Sequence, residues 1–187
     1  MAYRRYITEY SNQLHQLLIS VSKHYYFGSD GYLKYQHKPM EVNLKSAVKS
    51  RREHLLYYVL RDHYSGTFAL RIATTKRPCP LADFLYEAWH EGEGEDQWIW
   101  GMPEMLYVPK TIPTDGLFPV LEQLGVQPLH PPSGFASGVR ILRDIEQCIS
   151  AYLTRMVDHS LEGVSNLRPD IYRYMIRVAG SFDKWSD

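Results

Sequence analysis

Cysteine is scarce in this chain: Cys79 and Cys148 are the only two among 187 residues. Two thiols do not build the disulfide lattice of a small secreted domain, and the scarcity fits a reducing compartment. Long apolar runs are missing too. The nearest, HLLYYVL, falls far short of the roughly 18 residues a membrane helix needs. The opening residues MAYRRYITEY lack the apolar core of a secretory signal. No charge of one sign dominates, since 21 Lys and Arg balance 21 Asp and Glu. That excludes a polycation that coats nucleic acid but leaves room for a local basic face. Neither GxxxxGKS/T nor GxGxxG occurs, which argues against nucleotide-triphosphate and dinucleotide enzymes. A soluble, cytoplasmic protein without a membrane segment is expected.

What is present suits one domain: 44% hydrophobic and 22% charged residues supply a core and a solvated surface. Tyrosine is abundant, at 15 residues, and seven of these (Tyr3, Tyr6, Tyr10, Tyr25, Tyr26, Tyr32 and Tyr35) crowd the first fifth of the chain. Apolar rings with polar tips serve core margins, interfaces and base stacking alike. Charge is uneven along the sequence. Residues 1–60 hold nine basic against four acidic side chains, whereas residues 91–130 hold one against seven. Such a division defines two solvated faces or a complementary self-association surface. EGEGED at 91–96 reads as an exposed acidic loop, too negative to cradle phosphate.

Periodicity and turn residues predict the elements. Residues 4–22 space Tyr6, Tyr10, Leu14, Leu17, Leu18 and Val21 for an amphipathic helix, which GSDG at 28–31 ends. MEVNLKSAV at 40–48 alternates like a strand. REHLLYYVL and TFALRIATT form a hairpin across DHYSG at 62–66. LADFLYEAWH is a helix, EMLYVPK a strand, and LFPVLEQL a helix closed by Gly125. VQPLH is a further strand, PPSGFASG at 131–138 a loop, and residues 139–157 a long helix. PDIYRYMIRVAG is a last helix that opens at Pro169.

Three antiparallel strands followed by alternating helices and parallel strands describe a ribonuclease H-like sheet. Within it, YYVLRDHYSGTFALRI, WGMPEMLYVPK and LEQLGVQPLHPPSGFASGVRILRDIE resemble, in order and separation, the integrase and transposase catalytic core of bacterial mobile elements. The resemblance covers about 110 of the 187 residues. It implies an α/β fold with a five-stranded mixed sheet flanked by helices and extended by further helices at both ends. It divides the chain into an N-terminal helical arm at 1–30, a core at 31–160 and a C-terminal helix and tail at 161–187. It also implies DNA as ligand and two-metal chemistry, in which three carboxylates hold a pair of magnesium ions about 3.5–4 Å apart.

Those carboxylates are missing where the family's spacing places them. Counting from the turn residue Asp62 lands at Asn43, counting from Pro103 lands at Pro109, and counting from Gly138 lands at Ile141. Asp144, one helical turn beyond Ile141, is a possible substitute, with Asp115 and Glu146 nearby. No cofactor is therefore expected, and magnesium only if acids have relocated. Other chemistry is poorly supported. His54, His63 and His90 lack zinc spacing. Cys79 and Cys148 have no specified base. Ser133 and Ser137 do not form a GxSxG elbow. Trp98 and Trp100 alternate in QWIWG, as a core or partner contact would.

The basic cluster Lys45, Lys49, Arg51 and Arg52 is the candidate for phosphate contact. The expected function is a catalytically inactive integrase- or transposase-like domain, a pseudoenzyme that binds DNA or assembles with an active transposase or with itself as a homodimer. An active two-metal nuclease with relocated acids is one alternative. A protein-binding adaptor that uses the 91–96 loop and the nearby tryptophans is another.

Overall fold

Eleven elements run along the described residues: β1 Leu14–Phe27, β2 Leu33–Tyr35, α1 Leu44–Val48, β3 Glu53–Asp62, β4 Phe68–Thr74, α2 Leu81–Trp89, β5 Met105–Tyr107, α3 Leu117–Gln123, β6 Gln127–Leu129, α4 Val139–Leu153 and α5 Leu161–Ser165. They come from a computed structural model that describes residues 7–90, 99–114, 116–130, 139–153, 155 and 158–171. The strands form one open, mixed, six-stranded sheet in the order β4-β3-β1-β5-β6, with β2 pairing β1 off that path. β1 and β2 are antiparallel, with Tyr25 opposite Tyr35. β5 runs parallel to β1, placing Gln16 beside Tyr107, and β6 runs parallel to β5. In the β3–β4 pair, Asp62 N–H donates to Thr67 O and Thr75 N–H to His54 O. One strand is read forwards as the other is read backwards, so this pair is antiparallel. No helix among the described residues is long and apolar enough to cross a membrane.

The chain divides into two compact units, and the boundary falls within β1, β3 and β4. In the first unit (Met1–Ile19, Tyr58–Leu70 and Cys79–Phe135), Leu14, Leu17, Leu60, Phe84, Leu85, Leu106 and Leu121 are buried. Phe84 of α2 meets Tyr58 edge-on at 5.7 Å, a favoured aromatic geometry. α3 is capped at Leu124 and followed by Gly125, whose φ of 81° lets Val126 N–H return to Leu121 O and Gly125 N–H to Glu122 O. In the second unit (Ser20–Tyr57, Arg71–Pro78 and Ala136–Asp187), Val21, Tyr25, Leu55, Leu56 and Ile72 are buried, as are Ile145, Cys148 and Ile149 of α4. Leu33 N–H donates to His159 O, and the Ser160 side chain caps α5 by accepting from Gly163 N–H.

Two expected elements are corrected. Residues 14–22, expected in a helix, lie in β1. This strand is central, and Leu14, His15, Gln16 and Leu17 are buried in succession on both faces. A strand covered on both sides has no alternation to display, and its apolar spacing imitates a helix. Residues 40–48, expected as the first strand, instead hold α1. Asn43 and Ser46 cap each other: the Asn43 side chain accepts from Ser46 N–H, while Ser46 Oγ accepts from Asn43 N–H. That local pairing favours a helical turn over extension. The sheet accordingly has six strands, not five. GSDG does turn the chain, but between two strands, through Gly31 N–H to Gly28 O and Gly28 N–H to Tyr32 O.

The hairpin, α2, β5, α3 and β6 fall where expected, and α4 starts at Val139 as expected. α5 was not anticipated from the pattern. Of the helix expected to begin at Pro169, residues up to Ile171 are helical and the remainder lies outside the described residues. So do Tyr3, Tyr6, the 91–96 acidic stretch, Trp98, Asp115, Ser133, Ser137 and Gly138.

Candidate nucleic-acid interface

The four predicted phosphate contacts gather on one short stretch. Lys45 lies in α1, Lys49 is its C-terminal cap, and Arg51 and Arg52 lead into β3; all four are exposed. α1 buries Ala47 and half-buries Leu44, while Lys45, Ser46 and Val48 are left to solvent. The stretch before it is tied to β1, since Met40 N–H donates to Lys23 O and Lys23 Nζ to Val42 O at 2.6 Å.

Arg52 is held more firmly than a surface arginine needs to be. Its guanidinium lies 4.4 Å from the centre of the Tyr26 ring, and Nη1 donates to Gln36 Oε1 at 3.2 Å. Stacking of this kind fixes the plane of the fork and leaves its other N–H groups for an anion. Beside it is a hollow of about 490 Å³ lined by Ser46, Ser50, Arg51, Arg52 and His54 together with Met40, Val42 and the carboxylate of Glu41. His54 is 4% exposed; its Nε2 lies 3.3 Å from Ser50 Oγ, while Nδ1 has no partner. Burial, and then the charge of Arg52, pushes His54 below the ordinary histidine range. Two hydroxyls, two guanidinium groups and a neutral imidazole suit a phosphate oxygen better than a metal.

The positions counted off for carboxylates hold none. Asn43 is the cap of α1 and lies on no strand. Moving the first strand to β1 does not restore an acid, because LHQLLISVSKHYYF contains neither Asp nor Glu. Pro109 lies two residues beyond the end of β5 at Tyr107, where the pairing with β1 has stopped. Ile141 is half-buried near the start of α4. Magnesium needs hard oxygen ligands, and these side chains do not fit it. Among the described residues, no group of three or more His, Cys, Asp or Glu side chains is placed to hold a metal.

The possible substitutes are differently engaged. Asp144 is half-buried on α4, one turn from Cys148. Burial first, then Asp144 and Asp170, push the Cys148 thiol up to about 12, so this buried cysteine is no nucleophile at neutral pH. Glu146 accepts from Ser22 Oγ at 2.5 Å and from Lys23 N–H at 3.1 Å. Ser22 Oγ in turn accepts from Tyr25 N–H at 2.9 Å. Glu146 therefore fastens α4 to β1.

The remaining histidines serve structure. His63 Nδ1 lies 2.8 Å from Thr8 Oγ1, and His90 stacks on Tyr86 at 5.3 Å. His15, which sequence reasoning missed, is the most enclosed: Trp89 Nε1–H donates to its Nδ1 at 3.1 Å, and its Nε2 lies 2.9 Å from Asn12 Oδ1. With Nδ1 accepting, the proton sits on Nε2 and is given to Asn12. Burial lowers this imidazole to about 4, against a smaller opposing pull from Asp62. No protein-family model matches the chain, and no curated protein matches it either.

Proposed function

We propose that the chain is a ribonuclease H-like domain of the integrase and transposase kind, without the two-metal carboxylates, that binds DNA through the α1–β3 basic face. It acts as a DNA-binding or assembly module of a mobile element, alongside an active transposase or a second copy of itself. The exposed cluster of Lys45, Lys49, Arg51 and Arg52 around its hollow carries the reading. The sheet order supports it: β4, β3 and β1 lie side by side, and parallel strands β5 and β6, joined by α3, follow beyond β1. The acid-free β1 and Pro109 support a binding role over a catalytic one.

Phosphate contacts release counterions, so affinity should fall steeply with salt. Four contacts predict a slope of log K against log salt near −3.6. Replacing Lys45, Lys49 and Arg51 together by alanine should flatten that slope by about 3. Filter binding of labelled duplex between 20 and 200 mM salt, on the order of the range where such slopes are read, measures it. No retention at the lowest salt would favour the protein-only adaptor instead.

The same duplex, incubated with magnesium or manganese, should remain uncut by wild type and by Asp144→Ala. Metal-dependent nicking that disappears in Asp144→Ala would establish relocated acids and an active nuclease.

A further inference from the structure

The first unit holds a second concavity, of opposite chemistry. A cavity of about 290 Å³ lies at the β3–β4 turn, lined by Ser11, Asn12, Asp62, Ser65 and Thr67 with Ile99 and Trp100. Asp62 is 1% exposed, yet its carboxylate is met by neutral donors: Ser65 Oγ at 2.6 Å, and the N–H groups of Tyr64 and Ser65 at 3.3 Å. The Ser11 hydroxyl joins them. These bonds hold the carboxylate in its charged form without cancelling the charge. His15 close by is neutral at physiological pH, because its own pKa is near 4. The guanidinium of Arg61, the preceding residue on the strand, lies towards Gly66 and also interacts electrostatically with Asp62, so it offsets part of the carboxylate's charge from the strand side.

Trp100, in contrast, is 61% exposed while its neighbour Ile99 is 4% exposed. An indole set against solvent beside an enclosed carboxylate is a poor arrangement for folding alone. It is a good one for a flat cation, which takes a π face on one side and two oxygens at its edge. A guanidinium satisfies both demands, since its planar fork matches a carboxylate and its face stacks on an aromatic ring. An ammonium satisfies only the charge. Tyr10, Tyr64 and Met102 are also exposed large side chains of this unit, and aromatic and methionine side chains are common at protein interfaces.

We propose that this cavity binds an arginine side chain presented by a partner polypeptide, with Asp62 receiving its N–H groups and Trp100 covering its face. The site is independent of the basic face and of the DNA-binding reading.

An NMR titration of the full chain with a blocked Gly-Arg-Gly peptide, followed at the Ser65 and Thr67 amides, tests it. Saturable shifts are expected, with binding at least five-fold weaker for the lysine peptide and for the neutral citrulline peptide. Trp100→Ala, an exposed change that should leave the far-ultraviolet dichroism and melting temperature unchanged, should weaken arginine binding at least five-fold. Asp62→Asn, which keeps one acceptor oxygen for the turn, should weaken it further. Trp100→Ala alone decides if the aspartate variant does not fold. Absence of saturable shifts, equal binding of citrulline or lysine, tighter binding of guanosine monophosphate, or indifference to Trp100→Ala would each overturn the proposal.

Discussion

Lowering the pH from 7 to 4 is expected to remove about 3 kcal/mol of folding stability through His15 alone. The imidazole is fully enclosed, accepts from Trp89 at Nδ1 and lies within hydrogen-bonding distance of Asn12 at Nε2. Its folded pKa is about 4 against an ordinary value of 6.5. Between these values the unfolded chain binds the proton and the folded chain does not. Stability is therefore complete above the upper value and drains away as pH falls towards the lower one. His54 and His63 are also lowered, chiefly by burial, and act in the same direction. Urea unfolding of wild type and His15→Gln at pH 7 and pH 4.5 separates the contributions, because other groups titrate alike in both proteins. The difference between the two should shrink by most of that amount at the acid end. A constant difference would mean that the folded ring titrates no lower than it does in the unfolded chain, so that burial and the Trp89 bond do not hold it neutral.

Glu146→Ala is expected to cost about 2–4 kcal/mol, since it removes the acceptor from two donors at once. Ser22 is completely buried, and its hydroxyl would lose its partner along with Lys23 N–H. Tyr57 stands near enough that burial, and after it the charge of Glu146, raises its phenol well above the ordinary range. Glu146→Gln keeps an acceptor and should lose about 1 kcal/mol. Denaturant midpoints of the two variants distinguish a fastening role from that of a relocated metal ligand. A metal ligand would give little change in stability without metal and a large change with it.

The hairpin was legible because its signals are local and agree: short apolar runs rich in aromatic and aliphatic residues on each side of DHYSG, in which Asp62 accepts the turn's own N–H groups. α2 was legible from its apolar stripe, with Phe84, Leu85 and Ala88 buried. β1 was not, because its burial on both faces comes from elements distant in sequence, and no window of the chain contains that information. Asn43, the position counted back from Asp62, falls at the cap of α1 and not on a strand. β1, the strand that takes the first place instead, contains no Asp or Glu. The basic cluster was visible as composition, but the stacking of Arg52 on Tyr26 and the orphan nitrogen of His54 needed three dimensions. His15 and Trp89 are separated by 74 positions, beyond any motif.

The two cysteines differ sharply in accessibility. Cys148 is completely enclosed with a thiol near 12, whereas Cys79 is half-buried at the approach to α2. Alkylating reagents attack the thiolate, so a maleimide dye at neutral pH discriminates between them while the fold is intact. The natural sequence thus offers one handle for a fluorophore or spin label, with no engineering required to silence the other.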